Sequence, residues 1–149
     1  MTAKPYNYSE CGISNVLIHG ISPVIDDEGD EVISIKNIKD LHRAIAQAVV
    51  AKKGGMTAEE LRFLRTEMGE TQEAFAKIIG YERLQITRWE KGEIKIPQAI
   101  DMLIRALAVQ KILKDEINLE ATSQKITEKA DENLNIEATD DFYRPAMFG

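Results

Sequence analysis

Residues 71–92 contain two short helical patterns that meet at a glycine, and this pairing limits the folds open to the chain. The first pattern ends at Gly80 and the second ends at Gly92. In the second pattern, Ile86 and Trp89 are three residues apart, so they share one side of a helix, and polar residues occupy the other side. Because glycine permits a tight turn between helices, the segment predicts two short helices that pack through an apolar side onto a small core.

Two more helical patterns flank this segment, one on each side. Before it, Thr57 and Glu60 have the spacing of a capping box, which predicts a helix that begins after Thr57 and ends at Gly69. After it, Pro97 suits the first turn of another helix. The residues of this last helix that are predicted to face inward are Ile100, Leu103, Ile104 and Leu107. Residues 56–111 are therefore predicted to be all-helical.

Residues 1–54 show a different pattern, in which strand-like segments precede a helix. Residues 15–21 and 31–35 are rich in Val and Ile and predict two short strands. Because the acidic, glycine-containing stretch at 26–30 has the composition of a turn, the two strands are predicted to form a loose hairpin. A helix is predicted from residue 37 to residue 53. Its apolar side is formed by Ile38, Leu41, Ile45, Ala48 and Val49.

The divisions of the chain follow from a glycine pair and from a change in charge. Gly54 and Gly55 end the N-terminal helix and separate residues 1–54 from residues 55–113. In residues 114–149 the apolar pattern thins and acidic residues outnumber basic ones, which predicts an acidic, partly disordered tail. The tail also carries side chains that suit docking on the domain or on a partner, namely Phe142, Tyr143, Met147 and Phe148.

Charge and cysteine content exclude several classes of protein. A net charge of −6 and a pI of about 5.0 argue against a protein that coats nucleic acid through bulk charge, although local charge decides specific DNA binding. The single cysteine, Cys11, permits neither an internal disulfide nor a cysteine-based zinc site. No segment approaches the roughly 20 apolar residues that span a bilayer, and the N-terminus lacks the apolar core of a signal peptide. We therefore expect a cytoplasmic protein outside the membrane.

Candidate catalytic and metal sites have little support in the sequence. Cys11 would need a nearby base, and neither His19 nor His42 stands at a spacing that indicates such a pair. The acidic stretch at 26–30 lacks the ligand spacing of an EF-hand loop, and no glycine-rich phosphate loop is present. We therefore expect no enzyme activity, no cofactor and no bound metal.

Residues 57–109 resemble the helix-turn-helix domain of the XRE family, which includes phage Cro proteins and repressors. The residues that carry the resemblance are Leu64, Arg65, Thr71, Gln72, Ala76, Gly80, Ile86, Trp89, Glu90, Lys91, Gly92 and Pro97. The resemblance covers roughly a third of the chain and implies a mainly α fold, with a five-helix-type DNA-binding domain after the small hairpin and helix. It also implies a partly buried ion pair between Arg65 and Glu90, and it implies that Gln72 holds a phosphate or braces the recognition helix.

The exposed side of the second short helix carries residue types that read bases. The major groove of B-DNA admits one helix, from which Arg suits guanine, Gln suits adenine and an apolar side chain can touch a thymine methyl. The predicted base contacts are Arg83, Leu84, Gln85 and Arg88. The predicted phosphate contacts are Gln72, Thr87, Lys91 and Lys95. Alternatively, Arg83, Gln85 and Arg88 form an ordinary solvated helix face, and Lys91 and Lys95 are plain surface lysines. Glu82 is expected to cap the helix or to accept a hydrogen bond from cytosine.

These features predict a sequence-specific regulator of transcription that binds double-stranded DNA, acting as a homodimeric repressor on a palindromic operator. The N-terminal hairpin and helix would supply the dimer contact, or their apolar side would pack on the chain's own domain. The alternative function is an antitoxin that neutralises a toxin protein and represses its own operon. Antitoxins of the MqsA and HigA types combine an XRE domain with a toxin-binding region, although this chain lacks the cysteines of the MqsA-type zinc module.

Overall fold

The described part of the chain combines five α-helices with a small β-sheet. The computed structural model describes residues 4–114, 132–140 and 142–146. The helices in these ranges are α1 (Ile38–Ala51), α2 (Ala58–Glu67), α3 (Gln72–Ile79), α4 (Arg83–Glu90) and α5 (Gln98–Ala108), with a π-helical turn at Val109–Leu113. Each of them is too short or too polar to cross a lipid bilayer.

The predicted helices of the central region are confirmed, together with two of their start signals. Thr57 Oγ1 accepts from the Glu60 N–H at 3.1 Å, and Glu60 Oε1 accepts from the Thr57 N–H at 2.9 Å, which completes the capping box of α2. Thr71 starts α3 by accepting from the Ala74 N–H at 3.1 Å. The expected capping of α4 by Glu82 is wrong, because Glu82 occupies the N-cap position but its side chain makes no capping hydrogen bond.

The inward side of α5 differs from the prediction because a buried ion pair occupies part of it. Asp101 and Arg105 are buried beside Ile104, and Arg105 Nε lies 2.7 Å from Asp101 Oδ1. This arrangement turns Leu103 outward, where it is 38% exposed. The other residues predicted to face inward, Ile100 and Leu107, are half-buried. A pattern of apolar residues alone could not locate a charged pair in the core.

Arg105 also fastens the connection between α1 and α2 to α5. Its fully buried guanidinium donates to three main-chain carbonyl oxygens, those of Val50 (3.2 Å), Lys52 (2.6 Å) and Gly54 (2.6 Å). Asp101, its ion-pair partner, accepts from the Met56 N–H at 2.8 Å. The glycine boundary is therefore held by hydrogen bonds, and the apolar core continues from the N-terminal segment through α5 to the C-terminal strands.

The β-sheet brings together segments from both ends of the chain. The strands are β1 (Tyr6–Asn7), β2 (Val16–His19), β3 (Val24–Ile25), β4 (Glu31–Val32), β5 (Leu134–Ala138) and β6 (Tyr143–Pro145). Four of them form one sheet in the order β1-β2-β5-β6, and β3 pairs with β4 as a separate two-stranded sheet. β2 runs antiparallel to β1 and parallel to β5, with Val16 opposite Leu134, and β6 runs antiparallel to β5.

The predicted hairpin between residues 15–21 and 31–35 is wrong. The first segment contains β2, which lies inside the four-stranded sheet, and the second contains β4, which pairs with β3. β2 lies between β1 and β5, and its face that carries Val16 and Ile18 is fully buried. The predicted turn at 26–30 is confirmed, but it joins β3 to β4, because composition does not determine which strands a turn connects.

Part of the predicted acidic tail is built into the fold, so the fold is α plus β rather than mainly α. Leu134 and Ile136 on β5 are 2% and 0% exposed. The main-chain N–H of Tyr143 donates to Asp40 Oδ2 at 2.6 Å, and its hydroxyl donates to the Lys36 carbonyl at 2.7 Å, so this side chain docks on its own chain. Charge indicated a solvated tail, whereas the alternation of apolar and polar residues in β5 fits a strand. Residues 115–131, 141 and 147–149, with Met147 and Phe148, lie outside the described residues.

The apolar side of α1 packs inside the chain. Leu41, Ile45 and Val49 are fully buried, and α1 contacts β5, β6, α2 and α5. Ile38, at the start of the helix, is 44% exposed. Three of these four side chains therefore pack within the chain itself, which is one of the two predicted alternatives. A contact between two copies would have to use side chains other than Leu41, Ile45 and Val49.

Candidate nucleic-acid interface

Helices α3 and α4 meet at a three-residue turn formed by residues 80–82. Gly80 has a φ of 78°, a left-handed conformation that favours glycine, and its N–H donates to the Ala76 carbonyl. The Tyr81 N–H donates to the same carbonyl at 2.9 Å. The turn therefore ends α3 sharply and lets α4 begin at once, as in a helix-turn-helix arrangement.

The inner side of α4 holds this helix on the core. Ile86 and Trp89 are 0% and 1% exposed, which confirms their predicted positions in the core. The rings of Tyr81 and Trp89 pack edge to face, with centroids 5.0 Å apart and planes inclined at 61°. The inner side of α4 is therefore fixed on the core, and its outer side faces solvent.

The outer side of α4 exposes the side chains predicted to read bases. Arg83 and Arg88 are exposed, and Leu84 is 58% exposed. Gln85 is half-buried and is the least accessible of the four. Arg88 follows Leu84 by four residues and Gln85 by three, so these side chains are neighbours on the helix surface. The structure thus brings the four predicted base contacts onto one short helix.

A charged network ties the end of α4 to α2. Arg65 Nε lies 2.6 Å from Glu90 Oε2, and Arg65 Nη2 donates to Glu90 Oε1 at 3.0 Å. Arg65 Nη1 also donates to the Glu70 carbonyl at 2.9 Å. The Arg65 and Glu90 side chains are 13% and 5% exposed, so the partly buried ion pair implied by the resemblance is present. Glu90 is therefore a structural residue that sets the position of α4.

Gln72 and Thr87 belong to the same network. Gln72 Nε2 donates to Glu90 Oε1 at 3.1 Å, and the Thr87 hydroxyl lies 3.0 Å from Gln72 Oε1 and 3.2 Å from the Arg83 carbonyl. A threonine hydroxyl has one proton to donate, and these acceptors use it here, while the phosphate contact of Thr87 stays a prediction. Of the two roles considered for Gln72, the structure shows the brace, while its phosphate contact stays a prediction.

Local charge on the α4 segment is opposite to the charge of the whole chain. Lys91 and Lys95 lie beyond the end of α4 and are exposed, where they can reach a phosphate backbone. The exposed charged residues from 82 to 95 are four cations, Arg83, Arg88, Lys91 and Lys95, and two carboxylates, Glu82 and Glu93. The net charge of −6 is therefore compatible with a basic surface at this helix.

A second polar cluster, which the sequence did not indicate, joins the N-terminal segment to α1 and α2. His42 Nδ1 lies 3.2 Å from Glu67 Oε1, and His42 Nε2 lies 3.0 Å from the Tyr8 hydroxyl. The His42 ring also packs edge to face on Phe63 with centroids 5.5 Å apart. These residues are far apart in the chain, and no spacing rule connects them, so only the tertiary fold could reveal the cluster.

A cavity of about 390 Å³ lies beside this cluster and includes Cys11 among its lining residues. Cys11 Sγ donates to the Tyr8 carbonyl at 3.3 Å, and burial raises the pKa of the Cys11 thiol. The thiol is therefore protonated near neutral pH, which is the opposite of the activation that a cysteine nucleophile needs. The raised pKa of Cys11 therefore gives no support to a catalytic role for this thiol.

Comparisons with known proteins assign no family to the chain. Neither a family model, nor a curated protein, nor a solved structure matches the chain. The resemblance of residues 57–109 to the XRE helix-turn-helix domain stays a prediction from the sequence.

Proposed function

We propose that this chain is a sequence-specific, DNA-binding regulator of transcription that inserts α4 into the major groove. The observation that carries the proposal is the division of α4 into two sides. Ile86 and Trp89 anchor one side in the core, and the Arg65–Glu90 pair fixes the end of the helix. The opposite side presents long polar side chains to solvent, as a recognition helix requires.

The chemistry of the exposed side suits direct reading of base edges. Arg83 and Arg88 can each form a bidentate contact with guanine O6 and N7, which is the commonest specific contact in the major groove. Leu84 would touch a thymine methyl, and Gln85 would pair through its amide with adenine N6 and N7. Because Gln85 is half-buried, we expect the two arginines to contribute more of the base discrimination.

Phosphate contacts would come from the segment that follows α4. Lys91 and Lys95 are exposed there, and an ammonium group is a good partner for phosphate oxygens. Binding through such contacts releases counterions, so affinity for DNA should fall steeply as salt rises. Gln72 has a second amide hydrogen beyond the one that meets Glu90, which leaves it able to add one donor.

A single α4 reads a half-site, so we further propose that two copies bind a palindrome and act as a repressor. A twofold axis in the protein would match a twofold axis in the DNA, with half-sites about 34 Å apart, or one helical turn. Leu41, Ile45 and Val49 are buried within one chain, so the contact between copies has to use other residues.

Selection of bound DNA from a random pool tests the proposal. We expect the full chain to enrich a motif with two inverted half-sites. A chain carrying both Arg83→Ala and Arg88→Ala should lose that enrichment, whereas Arg144→Ala, which removes an exposed arginine on β6, should keep it. The assignment of α4 as the base-reading helix would be contradicted if the unmodified chain enriched no motif. It would also be contradicted if the double variant enriched the same motif as the unmodified chain.

A further inference from the structure

Two strongly exposed apolar side chains lie in segments of opposite charge. Ile25 is 64% exposed and Leu84 is 58% exposed, the two highest values among the exposed large apolar residues that the structure describes. Ile25 lies in the β3–β4 hairpin and Leu84 lies on α4. Exposed apolar groups with a polar surround are typical of contact surfaces, so each of the two segments is a candidate contact surface.

The β3–β4 hairpin, residues 24–32, is acidic and apolar. It contains five carboxylates and no cation, the carboxylates being those of Asp26, Asp27, Glu28, Asp30 and Glu31. Its apolar side chains Val24, Ile25 and Val32 are 49%, 64% and 38% exposed. The strands pair through only two residue positions each, so both lack the cover that a larger sheet provides.

The hairpin tip is fixed by its own hydrogen bonds. Asp26 Oδ1 accepts from the Glu28 N–H at 2.9 Å and from the Asp30 N–H at 2.8 Å, and the Asp26 N–H donates to the Asp30 carbonyl at 2.9 Å. The side chain of Asp26 is thereby used within the turn, while the other four carboxylates are exposed. An ordered tip loses little conformational entropy when it docks.

The α4 surface has the complementary composition. It carries Leu84 and the exposed cations Arg83, Arg88, Lys91 and Lys95 against two exposed carboxylates, Glu82 and Glu93, and Tyr81 and Ile94 of the same segment are each 41% exposed. A segment with exposed apolar side chains and an excess of cations is complementary in charge to an apolar hairpin whose charged side chains are all carboxylates. Both surfaces are exposed in one copy, so the hairpin and α4 of the same chain do not cover each other.

We infer that the β3–β4 hairpin of one copy docks on the α4 surface of a second copy. The carboxylates of the hairpin then occupy the cations that would meet phosphates, and Ile25 covers Leu84. The second part of the inference, which depends on the proposed function, is that this docking competes with DNA. Self-association would lower the fraction of chain able to bind an operator as protein concentration rises.

Self-association is tested without DNA, by sedimentation of the full chain at low and high salt. We expect association at low salt that weakens on the order of tenfold at high salt, because exposed charge pairs are screened. A hairpin variant with Asp27→Lys and Glu28→Lys, and a helix variant with Arg83→Glu and Arg88→Glu, should each lose association by at least about tenfold. An equimolar mixture of the two variants should recover it, because the unmodified hairpin of the helix variant then meets the unmodified α4 of the hairpin variant.

This mixing experiment distinguishes hairpin docking from other contacts between copies. Association of the hairpin variant at the strength of the unmodified chain, or absence of complex in the mixture, would overturn the inference. Neither result bears on whether α4 reads DNA, since no DNA is present. Circular dichroism of each variant shows whether it is folded, and Ile25→Ser gives a second test of the hairpin without a change of charge.

Competition with DNA is tested with Ile25→Ser and duplex DNA at two protein concentrations. We expect this variant to bind more DNA than the unmodified chain at concentrations where the latter self-associates, and to match it at lower concentrations. Ile38→Ser, which alters an exposed isoleucine outside the hairpin, is the matched control and should behave as the unmodified chain. Equal binding by Ile25→Ser and the unmodified chain at both concentrations would rule out competition, while the sedimentation result still decides whether docking occurs.

Discussion

Arg65 and Glu90 form a two-bond ion pair that joins α2 to the last residue of α4, with Nε–Oε2 and Nη2–Oε1 distances of 2.6 and 3.0 Å. Glu90 Oε1 also accepts from Gln72 on α3, so three helices meet at one carboxylate. A guanidinium is a planar donor that fixes the angle as well as the distance of a carboxylate. The pair therefore determines how α4 presents its outer side.

Loss of this carboxylate should destabilise the fold strongly. We expect Glu90→Ala to lower the free energy of unfolding by about 3–5 kcal/mol, because it leaves the Arg65 charge and the Gln72 amide without their partner. Chemical denaturation measures the change. Glu137→Ala is the control, since Glu137 pairs with Arg144 at side chains that are 40% and 56% exposed, and its loss should cost no more than about 1 kcal/mol. If the two variants lost similar amounts of unfolding free energy, the Arg65–Glu90 pair would not be what fixes the position of α4.

Arg88 is expected to contribute to sequence preference. Its removal in Arg88→Ala should weaken operator binding by ~1–3 kcal/mol and relax the preference at one base pair, because a bidentate guanine contact is lost. Binding to a set of operator variants measures both effects. Arg144→Ala on β6 removes the same charge elsewhere and should leave the preference unchanged. If Arg88→Ala discriminated among the operators as the unmodified chain does, Arg88 would not be a base contact.

Lys95 is expected to contribute affinity without sequence preference. We expect Lys95→Ala to weaken specific and non-specific binding alike and to reduce the salt slope by about 0.9, the value for one phosphate contact on duplex DNA. The slope comes from titrations at a series of salt concentrations. Lys39→Ala, an exposed lysine on α1, should leave it unchanged. An unaltered slope in Lys95→Ala would place this lysine outside the interface.

Glu60 should make stability depend on pH. Burial raises the pKa of Glu60 above its ordinary value of 4.5, while Lys52, whose Nζ lies 2.8 Å away, and Thr57 act in the opposite direction. Because the folded chain then binds the proton more tightly than the unfolded chain, protonation favours folding. Stability should therefore fall as pH rises from the ordinary pKa through the raised one.

Glu60→Gln tests this dependence because the amide does not titrate. We expect the variant to flatten the acidic part of a stability curve measured by urea unfolding at a series of pH values. Glu93→Gln, at an exposed carboxylate, should retain the slope of the unmodified chain. A slope of the original steepness in Glu60→Gln would assign the pH dependence to other groups.

Ile136 tests whether the C-terminal strand belongs to the fold in solution. The side chain is fully buried on β5, so Ile136→Ala should lower the free energy of unfolding by about 2–5 kcal/mol through lost burial and a residual cavity. Val24→Ala, at a side chain that is 49% exposed, should change it by no more than about 0.5 kcal/mol. Equal stability of Ile136→Ala and the unmodified chain would mean that β5 is not packed as described.

The sequence by itself determined the central helices and the two sides of α4. Capping at Thr57 and Thr71 involves groups only three residues apart, and the spacing of Ile86 and Trp89 defines one side of a helix within a single turn. Gly80 marks the turn through its own conformational freedom. Signals of this kind are local, so they can be read without knowing what the helices pack against.

Only the tertiary structure decided which strands pair, which partners the polar side chains have and how far along the chain the apolar core extends. The parallel pairing of β2 with β5 joins Val16 to Leu134, and no local rule selects a partner at that separation, because register depends on which apolar faces are buried together. The same holds for Thr87, whose hydroxyl meets Gln72 on another helix, and for Arg105, whose burial requires carbonyls from a distant segment. The physical reason is that hydrogen-bond partners and buried faces are set by three-dimensional proximity, whereas sequence patterns report only neighbours along the chain.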